Sequence, residues 1–234
     1  MLNLKIAMEN KFEKITQLLL QKSATKQLVY RNTKTAFAEL KEVIKSVAEQ
    51  LNAQVQPVDN SVEVRYYEKS EFEVHLKFSG DTLIFMMHTN IFDFDQQHYI
   101  HNMPYVKEDP MREFCGMIQI YNFLADSIKY NREGDVGYLV GRLFINKDFH
   151  FFIEGKRPLS YIFSDFGSNR IQTAAFVQII TGAIHYCLNF DLIAPPIENM
   201  SFITLEQKNI MSHSSGMPTG KRLGFMNHAD LEGE

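Results

Sequence analysis

The spacing of apolar residues changes period once along this chain, and that change limits the fold more than any motif does. Met8, Phe12, Ile15 and Leu19 recur at helical intervals, as do Phe37, Leu40, Ile44, Val47 and Leu51. After Pro57 to Asn60 the period becomes two. Val62, Val64 and Tyr66 alternate with Glu63, Arg65 and Tyr67, and Phe72, Val74, Leu76 and Phe78 alternate with Glu73, His75 and Lys77. Helical spacing that gives way to a long run of strand spacing points to helices packed on an antiparallel sheet, not to alternating β–α units.

The pattern predicts helices within 8–52, interrupted at Ser23-Ala24-Thr25, with Thr33 as the N-cap of the second. It predicts a sheet over 61–155. After the first two strands, further strands fall within Leu83–Phe94, His98–Val106, Phe114–Asn122, Tyr138–Ile145 and Phe149–Glu154, while Phe123–Tyr130 fits a strand or a helical turn equally. A long helix is expected over 169–191, capped by Ser168 or Asn169 and stopped before Pro195-Pro196. It is apolar on most of its circumference and so expected to be buried on more than one side. Residues 201–211 read as helix or strand, and 212–234 as a mobile tail. The expected fold class is therefore α+β: an antiparallel β-meander of about six to eight strands, with N-terminal helices and a long buried C-terminal helix packed on the sheet. Residues 1–211 are read as one domain.

Charge narrows the function. Lys plus Arg number 24 against 28 Asp plus Glu, a net of −4, which argues against nucleic acid as a partner even with Lys221-Arg222 in the tail. Two isolated cysteines, Cys115 and Cys187, suit a reducing compartment and a cytoplasmic location. Ile171–Phe190 is long enough to span a bilayer, but Gln172, Gln178, His185 and Asn189 within it argue against a membrane. Gly216 to Arg222 departs from a phosphate loop, being one residue short with Arg222 where Ser or Thr would hold magnesium. Asp93, Asp95, His98 and His101 are a dense set of potential ligands, but a hairpin at Gln96-Gln97 would turn His101 away from the other three. No residue motif assigns the chain to a family.

The candidate site follows from strand register. A two-residue turn at Gly80-Asp81 sets Phe78 opposite Leu83, Leu76 opposite Phe85 and Val74 opposite Met87 on the core face. The reverse face then carries His75 opposite Met86 and Glu73 opposite His88. A three-residue turn at Asn146-Lys147-Asp148 likewise gathers Leu143, Ile145, Phe149, Phe151 and Ile153 on the core face. It leaves Arg142, Phe144, His150, Phe152 and Glu154 on the other. The expected ligand-binding residues are thus Glu73, His75, His88, Arg142, His150 and Glu154, polar groups set among apolar ones that need covering.

The expected function is a soluble, non-enzymatic module that binds a small molecule or protein partner, takes no cofactor and self-associates. One alternative is an enzyme using Glu73, His75 and His88 to hold a divalent metal or to perform acid/base chemistry. Another is a homo-oligomeric scaffold joined through the Phe37–Leu51 seam or the Ile171–Phe190 helix.

Overall fold

In a computed structural model of the chain, the alternating segments form one six-stranded antiparallel sheet. Its strands are β1 (Val64–Ser70), β2 (Glu73–Phe78), β3 (Asp81–Met87), β4 (Gly116–Leu124), β5 (Tyr138–Ile145) and β6 (Phe151–Gly155), and they lie in chain order. The structure describes residues 2–192, 194, 197, 201–206, 208–209 and 225–227, and the side chains of those from residue 10 to 189 and at 194, 197, 201–206 and 208–209. With the helices that precede and follow the sheet, the fold is α+β, and among the described residues no helix is long and apolar enough to cross a membrane.

The helical part begins with α1 (Leu2–Leu18), passes through a π-helical turn (Leu19–Ser23) and continues as α2 (Ala24–Val55). The expected interruption at 23–25 is thus a widened turn within one helix. Thr33 is no cap: it sits mid-helix, and its hydroxyl donates back to the Val29 carbonyl at 2.8 Å. Ala36, Phe37, Leu40, Ile44 and Val47 of α2 are buried against the core face of the sheet, where Val74, Leu76, Leu83, Phe85, Ile118, Ile120, Leu143 and Ile153 meet them. The helix crosses β4 closely at Gly116, where a Cβ would fall 2.0 Å from Thr33 Oγ1.

The last long helix, α6 (Thr173–Leu188), lies beside α2 over the same face. Phe176, Ile179, Ile180, Ala183, Ile184 and Cys187 are buried, while Val177 and Leu188 are exposed. It is therefore sealed along one stripe rather than on several sides. It begins at Thr173 rather than 169 because the preceding backbone is engaged along the sheet edge. Phe151 donates its N–H to the Asn169 carbonyl at 3.0 Å, and Ile153 donates to Phe163 at 3.0 Å, so 163–171 covers the outer side of β6. Between them lies the short α5 (Leu159–Ile162). The Phe37–Leu51 seam and the buried stripe of α6 are consequently occupied within the core.

Both hairpins keep the expected faces but shift register by two residues. The β2–β3 turn is Ser79-Gly80, with Ser79 at φ 50°, and Asp81 stays in the ladder opposite Phe78. Its carboxylate accepts from Asn122 Nδ2 at 2.8 Å, which holds it there. His75 therefore pairs with Ile84, and Glu73 with Met86 instead of His88. In the β5–β6 hairpin Ile145 faces Phe151 and Arg142 faces Glu154, so the connection is five residues, 146–150. Buried Asn146 organises it, its Oδ1 accepting from the N–H groups of Asp148 and His150 at 3.0 Å each, and Phe149 turns at φ 60°.

The largest departure lies between β3 and β4. The chain does not continue as strands through 88–106. It leaves the sheet after Met87 and crosses the reverse face as a strap of residues 88–115. The strap contains a 3₁₀ turn at Tyr99–Asn102, α3 (Pro104–Glu108) and a second 3₁₀ turn at Pro110–Glu113. Pro104 and Pro110 start these turns, each lacking the N–H a ladder would need. Ile100 and Val106 of the strap join Cys115, Met117, Phe144, Phe152 and Phe166 in a second apolar cluster, with Phe92, Phe94 and Tyr105 packed on it. At Gln96-Gln97 there is a tight turn, His98 donating its N–H to Asp95, and no paired hairpin.

Two smaller features complete the description. α4 (Ala125–Lys129) follows β4 directly, which settles the ambiguous 123–130 segment as the end of a strand and a helical turn. β7 (Phe190–Leu192) pairs antiparallel with β8 (Phe225–Asn227), so three residues of the expected tail belong to a ladder. The rest of that tail, including Gly216 to Arg222, lies outside the described residues. Of 201–211, residues 205–206 and 208–209 are helical.

Candidate functional site

The strap covers the reverse face over β4–β6 and leaves a hollow over β1–β3. Odd-numbered residues of β1 and β2 point into that hollow, together with even-numbered residues of β3. Tyr67, Lys69, His75, Lys77 and Thr82 therefore share its floor, and α4 with the loop after it forms the wall. The cavity measures about 740 Å³, within the size range of small-molecule pockets. Its wall is held in place by Ser127, whose hydroxyl donates to Asp135 Oδ2 at 2.5 Å.

The charges in this hollow are one-sided. Lys69, Lys77, Lys129 and Arg132 line it against one carboxylate, Asp126. Lys77 lies 3.9 Å from Glu63, and Arg132 lies 3.9 Å from Asp135. Lys69 sits over the Tyr67 ring at 5.8 Å and Lys129 over Tyr130 at 4.9 Å. Among the described residues neither of these two lysines has a carboxylate within 4.0 Å. Low-dielectric walls around several cations focus the field and draw anions in from solution.

His75 is 5% exposed, and its Nε2 lies 2.5 Å from Glu73 Oε1. Burial pushes its pKa below the ordinary value; Glu73 opposes the shift and Lys69 adds to it. At neutral pH the ring is uncharged, with Nε2–H donating to Glu73 and Nδ1 left as an acceptor. Thr82, also nearly sealed, brings a hydroxyl to the same floor.

The other expected site residues serve the strap. Glu154 is bound by the Arg142 guanidinium on one oxygen and by His98 Nε2 at 2.7 Å on the other. His98 stacks on Phe94 with centroids 4.6 Å apart, so this carboxylate fixes the strap to β6. His150 stacks on Tyr105 at 4.7 Å, and its Nδ1 donates to the Phe166 carbonyl at 3.2 Å. His88 begins the strap, its Nδ1 accepting from the Asn90 N–H at 3.0 Å and its edge against Phe92. The six expected residues thus separate. Glu73 and His75 meet, Arg142 and Glu154 meet, and His88 and His150 stand apart from both pairs.

Among the described residues no three His, Cys, Asp or Glu side chains are grouped to hold one metal ion. Cys115 is sealed in the second cluster, where burial pushes its thiol well above the ordinary range and disfavours the thiolate needed for attack. Lys69, Lys77, Lys129 and Arg132 are the residues that sequence reasoning passed over. Alternation alone placed Lys77 beside His75, but the wall comes from a segment with no regular period. Searches against family models, curated proteins and solved structures find no match, so the chemistry of the site has to be argued from its own geometry.

Proposed function

We propose that this chain is a non-enzymatic binding module whose ligand is an anionic small molecule held in the hollow over β1–β3. The observation that carries this reading is charge: four cations and one carboxylate line the cavity, in a chain whose net charge is −4. A random surface of such a chain would carry slightly more acid than base. The neutral His75 and the Thr82 hydroxyl add polar groups that can orient a ligand without adding charge. Self-association and location within the cell are separate properties that this reading does not require.

The test is an amide chemical-shift titration with three probes: inorganic pyrophosphate, citrate and adenosine diphosphate. The expected result is saturable shifts at Lys69, Lys77, Ile128 and Lys129 for at least one probe, weakening as salt rises. A Lys77→Gln/Lys129→Gln variant should lose them while retaining its unfolding midpoint. If all three probes leave these amides unmoved at millimolar concentration, or the variant binds as tightly as the parent, the proposal fails.

A further inference from the structure

We propose that the helical arm over residues 10–23 is a self-association surface, and that its partner is a second copy of this chain. Every side chain from Asn10 to Ala24 is exposed, and the first buried one along the helix is Val29. Within this arm Phe12, Ile15, Leu18, Leu19 and Leu20 are between 52% and 71% exposed. The sequence pattern alone would lay this amphipathic face on the protein's own sheet. α2 and α6 already occupy the core face, and the strap occupies half of the other.

An isolated helical arm of this length is marginal in water, because most helix stability in proteins comes from packing an apolar face. Among the described residues the arm has no such packing within its own chain. Two features select a second copy as the occupant. The first is area. Covering Phe12, Ile15, Leu18 and Leu19 on both copies removes roughly 1,000 Å² of surface, about the lower bound for a specific interface.

The second feature is symmetry. The positions Met8, Phe12, Ile15 and Leu19 are spaced four, three, four, a pattern that reads identically in either direction. An antiparallel copy therefore matches the seam to itself about a two-fold axis. Phe12 lies level with Ile15 of the partner subunit. At the flanks of that register Lys11 comes beside Leu18 of the partner subunit, so its charge meets no like charge there.

Sedimentation velocity of the full chain over a dilution series tests this directly. The mass should approach twice 27.2 kDa at the concentrated end and fall towards one chain on dilution. An Ile15→Glu/Leu19→Glu variant should stay at one chain throughout, with the unfolding midpoint of the body unchanged. A second measurement uses Lys14→Cys carrying a nitroxide, since Cys115 and Cys187 are both buried. Two antiparallel helices at contact distance place these labels within about 30 Å, readable as one intermolecular dipolar distance. A parent chain that remains monomeric, a dimer that survives both glutamates, or labelled arms with no such coupling would each overturn the proposal.

Discussion

Replacing Gly116 by alanine probes the contact that fixes α2 on the sheet. An added Cβ would stand 2.0 Å from Thr33 Oγ1, 2.7 Å from its Cβ and 2.8 Å from its Cγ2. Rotating Thr33 cannot relieve the clash, because its Cβ is itself too close and its hydroxyl is tied to Val29. The helix must instead retreat by roughly 1 Å, since non-bonded heavy atoms settle at about 3.5–4.0 Å. A gap of that size forfeits about a quarter to a half of each dispersion contact that Ala36, Phe37 and Leu40 make with the sheet. Overpacking of this kind costs about 1–3 kcal/mol, and a clash with a β-branched side chain on a long helix belongs at the upper end, about 3 kcal/mol. Urea unfolding monitored by circular dichroism measures it. Thr33→Gly removes all three clashing atoms, so Gly116→Ala should cost about 2 kcal/mol less in that background, a coupling well above the few tenths expected of independent sites. A single-variant loss below about 1 kcal/mol, or additivity in the cycle, would refute the argument.

Two further outcomes follow from the reverse face. Phe152 is fully buried, with the rings of Phe94, Phe144 and Phe166 at 5.6, 5.1 and 4.9 Å. Phe152→Ala should cost about 3–5 kcal/mol in urea unfolding and raise hydrogen exchange across 88–115, while protection in α2 falls only by the global loss. His75 sets a pH dependence. Its folded pKa lies below the ordinary 6.5, so as pH falls beneath that value the unfolded chain takes up a proton before the folded one does. Stability from this group is complete above pH 6.5 and is lost as pH falls towards the folded pKa. Urea midpoints measured from about pH 7.5 down to about 5 should decline less in His75→Gln than in the parent, and equal slopes would refute the assignment.

The strap gives the two halves of the reverse face different roles. Over β4–β6, Phe144 and Phe152 are closed off by the chain itself, and Arg142, Glu154 and His98 join strap to strand. Over β1–β3 no such cover is present among the described residues, and the groups left facing the hollow are chiefly lysines, an arginine and two sealed polar side chains. If the proposed anion sits in the uncovered half, its contacts can change without disturbing the apolar cluster beside it. That separation makes the lysine substitutions a cleaner probe of binding than changes at Glu154 or Arg142.

The change from helical to strand periodicity determined the class of fold, the presence of the meander and the face on which each strand residue lies. Val74, Leu76, Leu83, Phe85, Leu143, Ile145, Phe151 and Ile153 are all on the core side, as alternation requires. Alternation cannot distinguish registers that differ by two residues, because each such shift returns every side chain to the same face. Both hairpins made that shift: Asn122, distant in sequence, holds Asp81 in the β2–β3 ladder, and Asn146 folds its own five-residue loop while its Nδ2 donates to the remote Tyr105 hydroxyl at 3.0 Å. Tertiary structure alone also separated Glu73 from His88 and turned 88–115 into a cover. Phe92, Phe94 and Tyr99 carry the same apolar pattern whether they pair in a sheet or lie across one. Which of the two occurs depends on the exposed face waiting beneath them, and local periodicity contains no record of that face.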